Sequence, residues 1–258
     1  MPLADPILIE STSSRDLTGP DLPLPQGSGA SQPKAVARLG GPVATVHRAV
    51  AALGRTASRY SRWAVRSATV LREGDLPPGP VIAVSWHGMI MVGLGVHAES
   101  RFRPCSAFVT PGLPGVAMRG WLSANRIKSV PLPRDGDGNA SGGLKQMARS
   151  LRDGEMVAIA LDGPRGPSHR PRPGALWLAR LSGAPLVVVA SVAGPSLCMP
   201  RWDKQVVPLP GAHIAIVYGE PFYVDKHAEI DESLCLRVAS ELDKAERRAR
   251  EILQAARP

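Results

Sequence analysis

Apolar positions fall along this chain in two patterns: short runs that are apolar nearly throughout, and longer stretches apolar at every third or fourth place. Val81-Ile82-Ala83-Val84-Ser85-Trp86 is of the first kind, with five apolar residues in six and three of them β-branched. It reads as a strand buried on both faces. Val157–Leu161, Pro185–Ser191 and Ile214–Tyr218 follow the same rule, and residues 105–110 and 127–132 read as further strands. Helical spacing separates them. It covers 88–98, a short stretch near 115–124, residues 141–152 behind Ser141 as cap, 174–182 ended by Gly183, and 231–255. The last of these places Leu234, Val238, Leu242, Ala245, Ala249 and Ile252 on one stripe. Alternating strand and helix predicts an α/β fold, one domain whose mixed, largely parallel sheet is flanked by helices.

Ahead of that domain the pattern changes twice. Residues 1–33 are rich in Ser, Pro, Gly and Asp without any period, the signature of a disordered tail. Residues 34–72 form a basic segment, with 73–258 as the α/β domain including its C-terminal helix. Within the basic segment, 42–68 reads as one helix after Pro42. Val46, Val50, Leu53, Ala57 and Tyr60 fall within about 40° of one another on a helical wheel, and Arg48, Arg55, Arg59, Arg62 and Arg66 lie opposite. The apolar stripe is expected to dock on the core. The arginines are either a solvated face or one that lies near anionic lipid headgroups.

Charge sharpens this picture. The net charge is +9, and Lys34 to Arg72 holds eight basic residues and no acid, leaving 23 basic against 22 acidic residues elsewhere. The excess therefore belongs to one segment and its partner. Cys105, Cys198 and Cys235 lie far apart with no CxxC spacing, which argues against a disulfide framework or a zinc site and suits a reducing compartment. No apolar window is long enough to span a membrane, and Asp5 and Glu10 with no basic region before an apolar run argue against a signal peptide. Only 4% of residues are aromatic, so base stacking has little support and no nucleic-acid partner is expected.

Candidate chemistry starts with His87, which follows the 81–86 strand where α/β proteins place their ligands. Asp162-Gly163-Pro164-Arg165-Gly166-Pro167 follows the 157–161 strand in the same way. Arg165 would offer a bidentate charge to phosphate, with Gly163 and Gly166 allowing close backbone approach; otherwise the stretch is a turn held by an Asp–Arg pair. Three other patterns fail. Gly138 to Lys145 is not a phosphate loop, because its lysine comes one place late with no Ser or Thr after it. Ser141 lacks the frame of a hydrolase elbow. His97 and Glu99 have no third metal ligand at helpful spacing.

Taken in order, Trp86-His87, Arg134-Asp135-Gly136, Gly154-Glu155, the 162–167 stretch, Gly183-Ala184-Pro185 and Tyr218-Gly219-Glu220-Pro221 resemble one family. The chain is similar over about 80–222 to bacterial lysophospholipid acyltransferase-like proteins, the DUF374 group of the glycerolipid acyltransferase superfamily. That resemblance implies a glycerolipid acyltransferase-like fold and acyl transfer from acyl-CoA or acyl-carrier protein, as co-substrate, to a lipid hydroxyl, with no bound cofactor or metal. It implies a lipid acceptor and an acyl donor as partners, and the basic segment 34–72 is expected to set the protein on an anionic membrane surface, as a peripheral protein of the cytoplasmic face. His87 matches the superfamily's base, and Asp162 to Arg165 match its phosphate motif, with Arg134 beside them. The aspartate that orients the base belongs five residues on, and there this chain has Val92. Asp135, Asp137, Asp162 or a backbone carbonyl would then hold the ring, Asp135 being favoured. The helix after His87 would offer its N-terminus to a developing oxyanion. The rival expectation is a catalytically weakened lipid- or phosphate-binding protein of the same fold, and the more distant one a binder of nucleic acid or acidic partners.

Overall fold

The structure, a computed structural model, describes residues 42–100, 103–132 and 140–256. The expected tail and the start of the basic segment lie outside these residues, as does the 133–139 stretch carrying Arg134, Asp135, Gly136 and Asp137. In chain order the elements are α1 (Pro42–Arg66), β1 (Thr69–Glu73), β2 (Val81–Ser85), α2 (His87–Glu99), β3 (Cys105–Val109), α3 (Leu113–Ala124) and β4 (Ile127–Pro131). They continue with α4 (Ala140–Arg152), β5 (Met156–Ala160), α5 (Gly174–Ser182), β6 (Leu186–Cys198), β7 (Val206–Tyr218) and α6 (Glu232–Ala255).

The strands form one seven-stranded sheet in the order β1-β7-β6-β2-β5-β3-β4. β6, β2, β5, β3 and β4 run parallel, β7 is antiparallel to β6, and β1 is parallel to β7. This is the mixed, largely parallel α/β sheet that the pattern predicts. All five residues of β2 are buried, because helices cover both of its faces. On one face Ile82, Val84 and Trp86 pack with Met147, Leu151, Leu176 and the apolar stripe of α6. On the other, Val81 and Ala83 pack with Val92, Val96, Trp121 and Val65 from α2, α3 and α1. The α6 stripe is the expected one, entered through Asp231, whose side chain accepts the Leu234 N–H at 2.8 Å.

Three elements depart from the sequence reading. β1 is an edge strand with only partial burial, so its residues carry no apolar run to announce it. β6 and β7 extend well beyond the expected 185–191 and 214–218 and form a long hairpin. Pro195, Pro208, Pro210 and Gly211 read as breaks, yet they fall where β6 and β7 pair with each other alone, and a register shift between Gly194 and Ser196 absorbs the misfit.

The third departure is the docking of α1. Its buried line is Gly54, Ser58, Ala64 and Val65, not the stripe of larger apolar residues. A Cβ on Gly54 would lie 1.9 Å from the Ala117 carbonyl oxygen, and one on Gly120 2.4 Å from that of Ala51. α1 and α3 therefore touch backbone to backbone, a contact that small residues alone allow. The expected stripe sits to one side, with Val46 at 47% and Leu53 at 66% exposure, joined by Trp63 at 58%. The arginine face is also divided: Arg62 and Arg66 pair with Glu99 of α2, while Arg48, Arg55 and Arg59 are exposed. No helix among the described residues is long and apolar enough to cross a membrane.

Gly54→Ala is expected to destabilise the protein by about 1–3 kcal/mol, because the added methyl meets backbone that cannot swing aside. Gly174→Ala, where a Cβ meets open space, is the matched control and should be neutral or slightly stabilising. Denaturant unfolding of both variants reads the difference, and equal stability would disprove the close α1–α3 contact.

Candidate active site

Strand β2 ends at Ser85 because Trp86 turns the chain into α2, with His87 as the first helical residue. Trp86 is 1% exposed and fixes this junction from below. Its indole N–H donates to Asp243 Oδ1 of α6 at 2.9 Å, and its ring stacks on His169 with centroids 4.6 Å apart. His87 thus sits at the carboxyl end of a central strand, its side chain about a quarter exposed (23%).

The His87 ring is held by a residue that the sequence reading did not consider. Nδ1 lies 2.8 Å from Asp203 Oδ2, and the Asp203 side chain is fully buried. An ionised carboxylate only accepts, so Nδ1 carries the proton and the lone pair of the neutral ring resides on Nε2. Asp203 Oδ1 makes no hydrogen bond among the described residues and has Arg201 Nε at 3.5 Å. Trp202, the neighbouring residue, sets its ring against the imidazole with centroids 5.1 Å apart.

Asp203 reaches His87 because the β6–β7 turn folds back over the start of α2. Two glycines make room for it. A Cβ on Gly88 would stand 2.2 Å from the Asp203 carbonyl oxygen, and one on Gly166 2.5 Å from the Trp202 ring. Gly166 was expected to let a phosphate approach; here the space above it is occupied by an indole.

Asp162 is the second buried carboxylate of the site, and it acts on backbone. Its Oδ1 accepts the His87 N–H at 2.9 Å and its Oδ2 the His169 N–H at 3.3 Å. Burial raises its pKa above the ordinary aspartate value, and the two N–H groups oppose that rise. Of the three carboxylates expected to hold the His87 ring, Asp162 holds the main chain of His87 instead, and Asp135 and Asp137 lie outside the described residues. The expected oxyanion role of the α2 N-terminus is altered for the same reason: its first N–H already faces a carboxylate.

The 162–172 loop is pinned by Arg172, whose N–H donates to Leu161 O at 2.7 Å and whose guanidinium donates to Gly166 O at 2.8 Å. Gly163 turns the chain with φ +69°, and Arg165 stands exposed on the resulting bend. Val92, five residues after His87, is 2% exposed in the apolar layer between α2 and the sheet. A carboxylate there would be buried among Val65, Val96 and Ile214 with no partner of its own.

Beneath α2 lies a mostly apolar cavity of about 40 Å³, lined by Ser85, Ile90, Gly93, His97, Ser191 and Tyr218 among others. The Ser85 hydroxyl on its wall has no hydrogen-bond partner among the described residues. His97, at the far end, gives Nε2 to the Arg103 carbonyl at 3.0 Å, and burial lowers its pKa. Among the described residues one group of side chains has metal-ligand chemistry, His169, Asp243 and Glu246, each with a ligand atom within 4.8 Å of the others. The ring turns Nδ1 toward Asp243 (3.4 Å) and Nε2 toward Glu246 (3.9 Å), and Arg250 and the Trp86 indole N–H already engage the two carboxylates.

No protein-family model matches the chain. An uncharacterized protein of Rickettsia prowazekii (strain Madrid E) is 22% identical over 168 residues, covering 63% of this chain and 75% of that protein. Among solved structures, the 1-acyl-sn-glycerophosphate (LPA) acyltransferase PlsC from Thermotoga maritima is similar, with 17% identity and a TM-score of 0.45. The alignment covers 82% of this chain and 81% of that one.

Proposed function

We propose that this protein is an acyltransferase that moves a fatty acyl group from a thioester donor to the hydroxyl of a lysophospholipid or related lipid. The observation that carries the proposal is the 2.8 Å contact between His87 Nδ1 and the buried Asp203 carboxylate. It leaves Nε2 as the basic nitrogen, at a strand end beside the glycine- and arginine-bearing 162–172 loop.

In the proposed reaction Nε2 takes the proton of the acceptor hydroxyl as its oxygen attacks the thioester carbonyl carbon. Asp203 stabilises the imidazolium that forms. When the tetrahedral adduct collapses, the carbon–sulfur bond breaks and the thiolate of CoA or carrier protein leaves, taking its proton from His87. The products are an ester and a free thiol, and no covalent enzyme intermediate is needed. Arg165 is assigned the acceptor's phosphate, by its exposure on the loop and its planar fork of donors. The apolar slot under α2, whose wall begins at Ser85 two residues before His87, offers buried surface to hydrocarbon.

A membrane-surface location on the cytoplasmic face fits the same reading. α1 exposes Val46 and Leu53 on one flank and Arg48, Arg55 and Arg59 on another, with Trp63 between them, so hydrocarbon and anionic headgroups each have a counterpart.

The test is acyl transfer over a panel of lysolipids with both donor types. His87→Ala should abolish turnover, and Asp203→Asn should lower kcat by about 10²-fold or more with KM little changed, since the amide no longer stabilises an imidazolium. Full activity in folded Asp203→Asn protein would remove the dyad from the mechanism. Arg165→Lys should raise the acceptor KM on phosphate-bearing lipids and leave acceptors without phosphate unaffected. If wild-type protein binds lysolipid yet transfers no acyl group from any donor, a lipid-binding role replaces the enzymatic one.

A further inference from the structure

The hairpin that delivers Asp203 has an outer surface of unusual make-up. Strand β6 pairs with β2 only through Leu186–Val188, and the rest of β6 runs on beyond β2 with β7 as partner. From Pro195 to Arg201 seven consecutive residues are exposed, and four in a row are apolar or weakly polar: Leu197, Cys198, Met199 and Pro200. Leu197 is 56% and Met199 41% exposed. Ser196 is the one polar side chain in this run before Arg201.

Charge at the tip is all of one sign. Between Asp162 and Glu220 the sole acid in the sequence is Asp203, and it is buried against His87. Arg201 and Lys204 are exposed on either side of it. The tip therefore presents hydrocarbon framed by two cations, the pairing that an anionic lipid surface complements.

Helix α1 reaches the same hairpin through its C-terminal part: Tyr60 donates its hydroxyl hydrogen to Pro208 O at 3.0 Å, and Ser67 Oγ accepts the Gly211 N–H at 3.0 Å. From these observations we propose that the β6–β7 tip, Leu197 to Lys204, is a wedge that enters an anionic lipid surface and sets the mouth of the His87 site against it. The residues that touch lipid and the residues that complete the site then belong to one turn: Leu197 and Met199 face outward, Trp202 and Asp203 inward. The proposal rests on the acyl-transfer reading in one respect, that the acceptor is reached from the bilayer.

Cys198 supplies the probe, because it is exposed while Cys105 and Cys235 are buried. The full chain, labelled there with an environment-sensitive fluorophore, is mixed with phosphatidylcholine vesicles with and without phosphatidylglycerol. A blue shift and protection from an aqueous quencher are expected on anionic vesicles, weakening as salt is raised. Leu197→Cys in a Cys198→Ser background repeats the measurement if the label disturbs the turn. Leu197→Ser with Met199→Ser should reduce vesicle sedimentation and transfer to a vesicle-embedded lysolipid by roughly five- to tenfold, with transfer between water-soluble short-chain substrates unchanged. A label that stays open to quencher on vesicles that sediment the protein would overturn the proposal and leave α1 as the contact. Absence of vesicle binding, or a double variant that loses soluble-substrate activity equally, would also overturn it. Shielding of the label in a protein that transfers no acyl group would uphold the wedge and end the enzymatic reading.

Discussion

The site depends on one contact, the buried Asp203 carboxylate against His87 Nδ1. A carboxylate taken wholly out of water is costly unless partners replace its hydration, and the effective penalty is several kcal/mol. Here the replacements are few: the imidazole N–H at 2.8 Å and the Arg201 guanidinium at 3.5 Å. The imidazole N–H therefore anchors the β6–β7 turn as much as the turn orients the imidazole. Gly88 and Gly166 belong to the same constraint, since a methyl group on either would push the turn off its seat. Asp162 completes it by holding the main chain of His87 while Asp203 holds the ring. Two carboxylates from two distant segments share one histidine and divide its degrees of freedom between them.

Much of the fold was legible because burial on two faces leaves an unbroken apolar run. β2, β5 and the first half of β6 carry such runs, and α6 carries its stripe at helical spacing. His87 was legible for the same reason, as the first polar side chain with acid–base chemistry after the most apolar strand. Asp203 was not, because its partner is 116 residues away and it sits between Trp202 and Lys204 in what reads as a solvated turn. The signal that could have marked it was its isolation: it is the only acid between Asp162 and Glu220. The docking of α1 was misread for a related reason. A helical wheel ranks faces by side-chain size, whereas the contact with α3 selects the face with least side chain, at Gly54 and Ser58.

Val92 and Asp203 can be understood together. Here α2 keeps an apolar inner face, with Val92 filling the layer above the sheet, and the carboxylate arrives from outside on a hairpin. The helix gains a continuous core contact and the site gains a partner whose position depends on the seating of a surface turn. Such an arrangement couples the His87–Asp203 contact to whatever that turn meets.

The protonation pattern of the His87 ring tests this account most directly. Nitrogen-15 NMR of the histidine side chains, with His87 assigned by substitution, reports which ring nitrogen bears the proton in the neutral form. A carboxylate on Nδ1 predicts the Nδ1–H tautomer for His87, and a return toward the Nε2–H tautomer usual for free imidazole when Asp203 is changed to asparagine. An Nε2–H ring in the wild-type protein, unaltered by Asp203→Asn, would contradict it.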